Sequence, residues 1–539
     1  MIKTKDLHAV YDKLSMLVIK HKAKLIAGAF ILYLLAGLFI FADYGVHSDE
    51  FTNQNGGRRW ADYVIKAIIS WNAPEVAIER DGRSAPHDFT DGPFLEVCFK
   101  FLEFGLLGHD ADSRDILLLR HLSIFLVFYA SSICIFLICR RLFNGYSYAF
   151  VATCMLVLHP RIFSHTFYNT IDIGLLSFFI ISAYTMILFI ERMNFKWAVI
   201  HGASCAALIG IRSIGIIMPL ITILAYSYVI FTGEKKLQAR PLFLIAVLVL
   251  YFAVAVLLTI FFWPILWHDT LHNFLYSFKG IVYFDWGRPI SYAYNLVWIS
   301  ITTPIAYLAL FIIGLLTISM KRIRKEPHYI YLVIAALLVV LPIIGAIVAK
   351  TNLFDDWRHH YFIYPFMVIV AISGLRFLVG FLHTIGSLSQ RRKGIMISIV
   401  WLVVALSLIA SLGQIIIYHP YQSVYRNALS PMFNYRSSTD FWFVSEYSAF
   451  KRILLEDRRP SVIVSASGRN NYHLLPKTDR SRLRLQYRGE LQDYIIPLGY
   501  FGDRTVDTDQ YVKIFSESRY GKEVFSIYRR KDLNISIGP

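Results

Sequence analysis

Long apolar runs, separated by short polar punctuation, occupy the chain from about residue 25 to residue 417. A helix rising 1.5 Å per residue needs roughly 18 to 20 such residues to cross about 30 Å of hydrocarbon. The pattern therefore predicts spans near 25–42, 116–139, 146–160, 173–190, 197–211, 213–232, 242–262, 297–319, 329–349, 361–381 and 395–417. The region 197–232 forces a choice. As one helix it would be about 54 Å long, nearly twice the hydrocarbon thickness. Both of its flanks are basic, so the chain must cross an even number of times between them. Two short spans broken at "GIRSIG", Gly210 to Gly215, satisfy both constraints. They also leave Arg212 at the turn, where it escapes the roughly 2.5–3.5 kcal/mol that a mid-bilayer arginine costs. The count is about eleven spans.

Beyond Tyr418 the alternation changes. Charge rises, Pro and Gly punctuate, and short β-like runs appear in "SVIVSAS", "DYIIPLGYF" and "KEVFSIYRR". This predicts a small mixed α/β domain over 418–539, attached to an all-α polytopic membrane module over 25–417.

Composition agrees with the pattern: 56% of the residues are hydrophobic, only 17% are charged, and the mean hydropathy is +0.51. An ordinary soluble domain is excluded. The net charge of +17 raises the question of nucleic acid, but the basic residues lie between spans and form no single basic segment, so no nucleic-acid partner is expected. One set of connections is short and basic: Arg140-Arg141, Arg192 with Lys196, Lys235-Lys236 with Arg240, "KRIRK" at 321–325 and "RRK" at 391–393. The other set is longer and rich in His, Asp and aromatic residues. The excess of Lys and Arg assigns the first set, with the lysine-rich residues 1–24, to the cytoplasm. The large first loop, 43–115, and the carboxy-terminal domain then lie outside. A cleaved signal peptide is not expected, because the first apolar run is long and lacks a small-residue cleavage site. The five cysteines show neither a disulfide framework nor a C-x-x-C metal motif.

The external connections concentrate the reactive side chains. The first holds His47, Asp49, Glu50, Arg58, Arg59 and "HDFTDGP", His87 to Pro93. The next holds "HPRIFSHTFYNTID", with His159, Arg161, His165 and Asp172, and a later one "NLFDDWRHHYF", Asn352 to Phe362. Taken singly, an arginine or histidine at a membrane boundary is most often a snorkelling headgroup contact, and Trp and Tyr there most often form an aromatic belt. The accumulation on one face is harder to assign to decoration. It suits a sugar carried on a lipid phosphate: cations to hold the phosphate, a carboxylate to take a proton from an incoming hydroxyl, and aromatic walls for sugar and lipid tail. Arg161, Arg212 and Arg358 are the candidates for the first task and Asp49 for the second.

Six stretches in one order carry a resemblance: "SDE" after the first span, "SRDILLLRHL", "HPRIFSHTFYNTIDI", "WPILW", "DWRHHYFIYP" and "HPYQSVYRN". Together they resemble the GT-C superfamily of lipid-phosphate-sugar-dependent glycosyltransferases, in particular bacterial relatives of the dolichyl-phosphate-mannose–protein mannosyltransferases. The resemblance implies a GT-C fold in a bacterial inner membrane. It implies inverting transfer of a sugar from a polyprenyl-phosphate donor to an acceptor hydroxyl on the external face. Asp49 maps to the family's catalytic base and Glu50 to its partner. Arg161, His165, Arg358 and His359 fall in the motifs that contact the donor phosphate, with Arg212 added to them. His47, Arg58, Asp172, Trp357 and Tyr361 are the expected lining of the substrate pocket. No cofactor is certain. A divalent metal held by Asp49, Glu50 and Asp172 stays open, since the spacing has no compact ligand signature. Membrane lipids and an acceptor glycan, lipid or protein are the further partners. The departures are Ile171 and Gly174, where relatives often have Lys and Pro. The competing reading is a transporter or flippase of lipid-linked sugars, for which the broken helix at Arg212 speaks.

Overall fold

The computed structural model describes residues 4–70, 91–232, 241–283, 292–320, 323, 328–351, 353, 356–433, 440–486, 491–498, 505–519 and 521–533. Helices run in the order α1 (Thr4–Ile40), α2 (Glu50–Ser70), α3 (Phe94–Leu107), α4 (Ser113–Phe143), α5 (Tyr146–Val157), α6 (Pro160–His165), α7 (Thr170–Arg192), α8 (Phe195–Ile209) and α9 (Ile217–Thr232). They continue as α10 (Pro241–Phe262), α11 (Thr270–Val282), α12 (Tyr294–Thr302), α13 (Ile305–Thr317), α14 (Tyr329–Val348), α15 (Tyr364–Thr384) and α16 (Gln390–Tyr418). Among the described residues, eight segments are long and apolar enough to cross a membrane, and three shorter apolar helices, Tyr146–Val157, Phe195–Ile209 and Ile305–Thr317, fall in the remaining expected spans. The chain is a multi-pass, mostly helical membrane protein. Side chains such as Phe39 and Phe231, 86% and 88% exposed, face outward from the bundle, as lipid-facing residues do. The α7 helix is the central one, with 83% of its apolar window buried, against 6% for the first span and 11% for α16.

Helix ends follow local chemistry. Asp112 caps α4 by accepting from the Arg114 amide at 3.0 Å, and Asn144 ends that helix region with φ of 47°. Asn169 caps α7 by accepting from the Asp172 amide at 3.0 Å, which places Asp172 in the first turn of the most buried helix. Between α8 and α9 the chain breaks within "GIRSIG": Arg212 is extended (φ −156°, ψ 134°) and a 3-10 turn covers Ser213–Ile216.

Three expectations change in detail. The span expected at 297–319 is two helices, α12 and α13, because Pro304 forces Thr303 into an extended conformation (ψ 138°). Asn427 occupies the break. Its backbone N–H donates to the Ile301 carbonyl at 2.7 Å, and its side-chain amide donates to Ser300 and Thr303 at 2.7 and 2.6 Å. The segment read as a long first loop carries α2 and α3 among its described residues. The first helix begins at Thr4, well inside the segment read as a basic tail. The Lys235-Lys236-Arg240 group and most of "KRIRK" lie outside the described residues.

After α16 come α17 (Glu446–Glu456), β1 (Val462–Ser465), α18 (Lys477–Arg482), β2 (Leu483–Leu485), β3 (Tyr494–Ile495), β4 (Tyr511–Arg519) and β5 (Lys522–Arg530). The strands form one mixed sheet in the order β2-β1-β3-β5-β4, with β1 parallel to β2 and β3, and β5 antiparallel to β3 and β4. Its apolar core includes Val462, Val464, Phe450 and Phe525, and it also takes in Val46 and Leu117 from the helical part.

Candidate active site

The site is built at the ends of helices. His47, Asp49 and Glu50 lead into α2, Asp172 opens α7, Arg212 sits between α8 and α9, and Arg358 begins the 3-10 turn Arg358–Ile363 that runs into α15. These residues, scattered over more than 300 positions, form one continuous ionic chain. Arg358 donates to Asp49 at 3.3 Å and to Asp172 at 2.9 Å. Arg212 donates to Asp172 at 3.0 Å and to both oxygens of Asp91 at 2.7 and 3.2 Å. The order is Asp49–Arg358–Asp172–Arg212–Asp91, three carboxylates and two guanidiniums. Its interior is buried: the side chains of Asp172 and Arg358 are 1% and 6% exposed, whereas that of Asp49 is 34% exposed. Asp49 is the solvent-facing terminus of the chain.

Neighbouring groups hold this arrangement. The Nδ2 of Asn169 donates to Asp172 at 2.9 Å and lies 3.0 Å from the His165 Nδ1. The Asp49 amide donates to His47 Nδ1 at 3.1 Å, which leaves the proton of the neutral ring on Nε2. The His47 ring stacks on Trp442 at 4.0 Å, and the Arg358 guanidinium lies 4.2 Å from the same indole. Burial holds the His47 and His165 imidazoles well below their ordinary value, reinforced by the charge of Arg358 at His47 and of Arg161 at His165; His165 is pushed down to about 3. Both rings are neutral near pH 7.

Arg161 pairs with Asp356, which also accepts from the Tyr361 hydroxyl at 2.9 Å. The guanidiniums of Arg161 and Arg426 each lie 5.2 Å from the Trp298 ring. Glu50 turns away from Asp49, is buried, and lies 3.2 Å from His121. A second buried group lies beyond it: Arg120 pairs with Glu96 and with Glu103 at 3.1 Å, and Glu96 also accepts from Thr170. A small recess, partly open to the surface, lies beside α2, lined by Thr52, Asn53, Trp60, Asp91, Pro93 and Glu96 among others.

The structure brings together most of the residues expected from the sequence: His47, Asp49, Arg161, His165, Asp172, Arg212 and Arg358, with His359 half-buried beside Arg358. Four stand differently. Arg212 lies deeper in the ionic chain than Arg358, between Asp91 and Asp172, whose side chains are 9% and 1% exposed. Trp357 and Tyr361 are fully buried, Trp357 donating to Thr302 at 2.9 Å and Tyr361 to Asp356 at 2.9 Å, so they brace the ionic chain from behind. Arg58 lies exposed on α2. His87 to Thr90 of "HDFTDGP" lie outside the described residues. As for a metal, the three candidate carboxylates do not converge: Asp49 and Asp172 share the cationic Arg358, and Glu50 faces His121. Among the described residues no three His, Cys, Asp or Glu side chains gather as ligands, so this donor set does not fit a divalent ion. Sequence reasoning missed Asp91, Arg120, His121, Asn169, Arg426 and Trp442. Several stand inside quoted motifs, but only pairing across the fold shows what they do.

Comparison with known proteins gives a family match over part of the chain. Residues 117–260, from α4 into α10, match the family model described as dolichyl-phosphate-mannose-protein mannosyltransferase. That stretch contains Arg161, His165, Asp172 and Arg212 but neither Asp49 nor Arg358. Among solved structures the chain is similar to ArnT from Cupriavidus metallidurans bound to undecaprenyl phosphate, with a TM-score of 0.47, 14% identity and 85% of each chain covered. It is similar to the same protein in the apo state at a TM-score of 0.48, 14% identity and 86% of each chain. The curated proteins give no match. Over residues 117–260, this chain is similar to the family described as dolichyl-phosphate-mannose-protein mannosyltransferase, which its motifs also resemble.

Proposed function

We propose that the protein is an integral-membrane glycosyltransferase that moves a sugar from a polyprenyl phosphate to an acceptor hydroxyl at the external membrane face. One observation carries the reading: a chain of buried ion pairs ends in a single solvent-facing carboxylate, Asp49, held 3.3 Å from Arg358. Asp49 accepts the proton of the acceptor hydroxyl as its oxygen forms a bond to the anomeric carbon. The bond from that carbon to the phosphate oxygen breaks on the opposite face, its electron pair leaves with the polyprenyl phosphate, and the configuration inverts. Arg358 and Arg161, flanked by His165 and His359, stabilise the charge that grows on the phosphate. Arg212, engaged by Asp91 and Asp172, holds Asp172 so that Arg358 is aimed at the site. The family match over residues 117–260 supports a lipid-phosphate sugar as donor, with mannose the first to try.

The test is transfer by purified protein in detergent, from radiolabelled undecaprenyl-phosphate mannose and related donors to an envelope extract. Asp49→Asn, correctly inserted, should lower transfer about a hundredfold or more, the range of a general base. Transfer at the parental rate would remove Asp49 from the mechanism. Activity that appears only in sealed membranes, with no new glycosidic bond, would favour the flippase.

A further inference from the structure

The loop bearing Asp49 has no regular structure of its own. Between the 3-10 turn Phe41–Asp43 and α2, residues 44–49 form neither helix nor strand, so their backbone groups need partners from elsewhere. Many of those partners come from the other end of the sequence. The Val46 amide donates to Asn471 Oδ1 at 2.7 Å, and Asn471 Nδ2 lies 3.4 Å from the Val46 carbonyl. The same Nδ2 donates to the Phe443 carbonyl at 2.8 Å, next to Trp442 on which His47 and Arg358 pack. Asn470 Nδ2 donates to the Ser48 carbonyl at 3.0 Å, the peptide that joins Ser48 to Asp49. Gly45 lets the two segments meet: a Cβ there would stand 2.1 Å from the Val444 carbonyl oxygen and 2.6 Å from Asn471 Oδ1.

The asparagines are themselves fixed. Glu446, at the start of α17, accepts from the amides of Ser467 and Gly468, which sets the turn that presents them. Arg480 of α18 fastens the same unit to the start of α4, donating to Asp112 and to Ser113 Oγ, each at 2.5 Å. Ser113 Oγ in turn donates to the His473 carbonyl at 3.1 Å. The loop is thus gripped between two anchored points.

We propose that the carboxy-terminal unit is a working part of the site, and that Asn470 and Asn471 are positioning residues which hold the Asp49 loop in register with Arg358 and the acceptor. The inference rests on the assignment of Asp49 as base. A base must be held to about half an ångström, and a displacement of about 1 Å costs on the order of a hundredfold in rate. The carboxy-terminal unit supplies that precision from outside the bundle.

Asn470 gives the cleaner test, since it is only partly buried while Asn471 is wholly buried. Asn470→Ala and the isosteric Asn470→Asp both lose the N–H that reaches Ser48. Each should lower kcat about tenfold, the effect of one lost hydrogen bond on a positioned group. KM for the polyprenyl-phosphate sugar, binding of undecaprenyl phosphate and the thermal midpoint should stay as in the wild type. Asn470→Gln keeps an amide donor and should recover part of the loss. A kcat within twofold of wild type in both Asn470→Ala and Asn470→Asp would overturn the inference. So would a loss that merely tracks the fraction of folded protein. Asp49→Asn is measured alongside: if it transfers sugar normally, the base assignment fails; if it is inactive while the Asn470 variants are normal, only the positioning role fails.

Discussion

Asp172 binds two arginines at once, Arg358 at 2.9 Å and Arg212 at 3.0 Å, with its own side chain 1% exposed. Removing one partner of a buried ion pair leaves an uncompensated charge and typically costs about 3–5 kcal/mol. Asp172→Ala should therefore reduce the yield of folded protein and its thermal midpoint in detergent, whereas Arg58→Ala, on an exposed face of α2, should leave both unchanged; a midpoint equal to wild type for Asp172→Ala would contradict the ionic chain. His47 and His165 set a pH dependence. Both are buried and neutral, with folded values depressed below the ordinary 6.5, His165 to about 3. On unfolding below pH 6.5 they take up protons that the fold refuses. Stability is complete above that value and falls as the pH drops, by about 1.4 kcal/mol per unit for each such histidine. Thermal unfolding at pH 7.5 and 5 should show the drop, and His165→Gln should make it shallower. Asp49, Arg161 and Arg358 were legible in the sequence because their residue types stand in quoted motifs beside apolar runs. Asp91 was not: its pairing with Arg212 depends on a backbone bridge between residues 121 positions apart, which no local pattern encodes.

At the scale of elements, membrane helices were readable because length and hydropathy alone decide whether a segment can span. Where a helix breaks, and what repairs the break, was less so. Thr302-Thr303-Pro304 interrupts an apolar run that looks continuous, and the repair comes from Asn427, beyond the last span. Helix carbonyls left without intrahelical donors must find others, and in the low-polarity interior an unmet one costs about 1–3 kcal/mol. Asn427→Ala removes two donors, to Ser300 and Thr303, while the backbone bond to Ile301 can persist. A loss of about 2–4 kcal/mol is expected from two such groups, read as a lower thermal midpoint; Asn427→Asp, which cannot donate, should match it, and an unchanged midpoint in both would show the break to be satisfied otherwise. The crossing of α13 and α15 was equally hidden. It depends on Gly314 and Gly374, where a Cβ would lie 2.1 Å from the Val370 carbonyl and 2.3 Å from that of Leu310. Close backbone approach on small residues is how membrane helices pack without a hydrophobic driving force, but neither glycine announces its partner in the sequence.

For the whole molecule, the two ends of the bundle differ in charge character, and this bears on orientation. At one end Lys22 and Arg140 lie over the Tyr146 ring at 5.0 and 4.4 Å, Arg141 is 3.2 Å from Glu191, and Arg192 lies over Trp197 at 4.9 Å. At the other are Asp49, Asp91, Asp172, Arg212 and Arg358, with the carboxy-terminal sheet unit packed against them. The sheet unit was legible in composition, yet its grip on residues 44–48 was not, because the change in composition at Tyr418 marks a boundary and says nothing about what the new unit touches. If all eleven apolar helical segments among the described residues cross the membrane, an odd number, the two termini of the helical part should fall on opposite sides. Lys and Arg near span ends favour the cytoplasm, so the Arg140–Arg192 end should face inward and the site and sheet outward. Two cysteine variants decide this in intact cells, in a background where the exposed Cys98 is replaced by serine. Asp509→Cys, on an exposed turn before β4, should react with a membrane-impermeant maleimide at once; Lys196→Cys, exposed at the start of α8, should react only after the cells are opened. The reverse pattern would turn the molecule over and place the Asp49 site in the cytoplasm, where a donor and acceptor of the external face could not reach it.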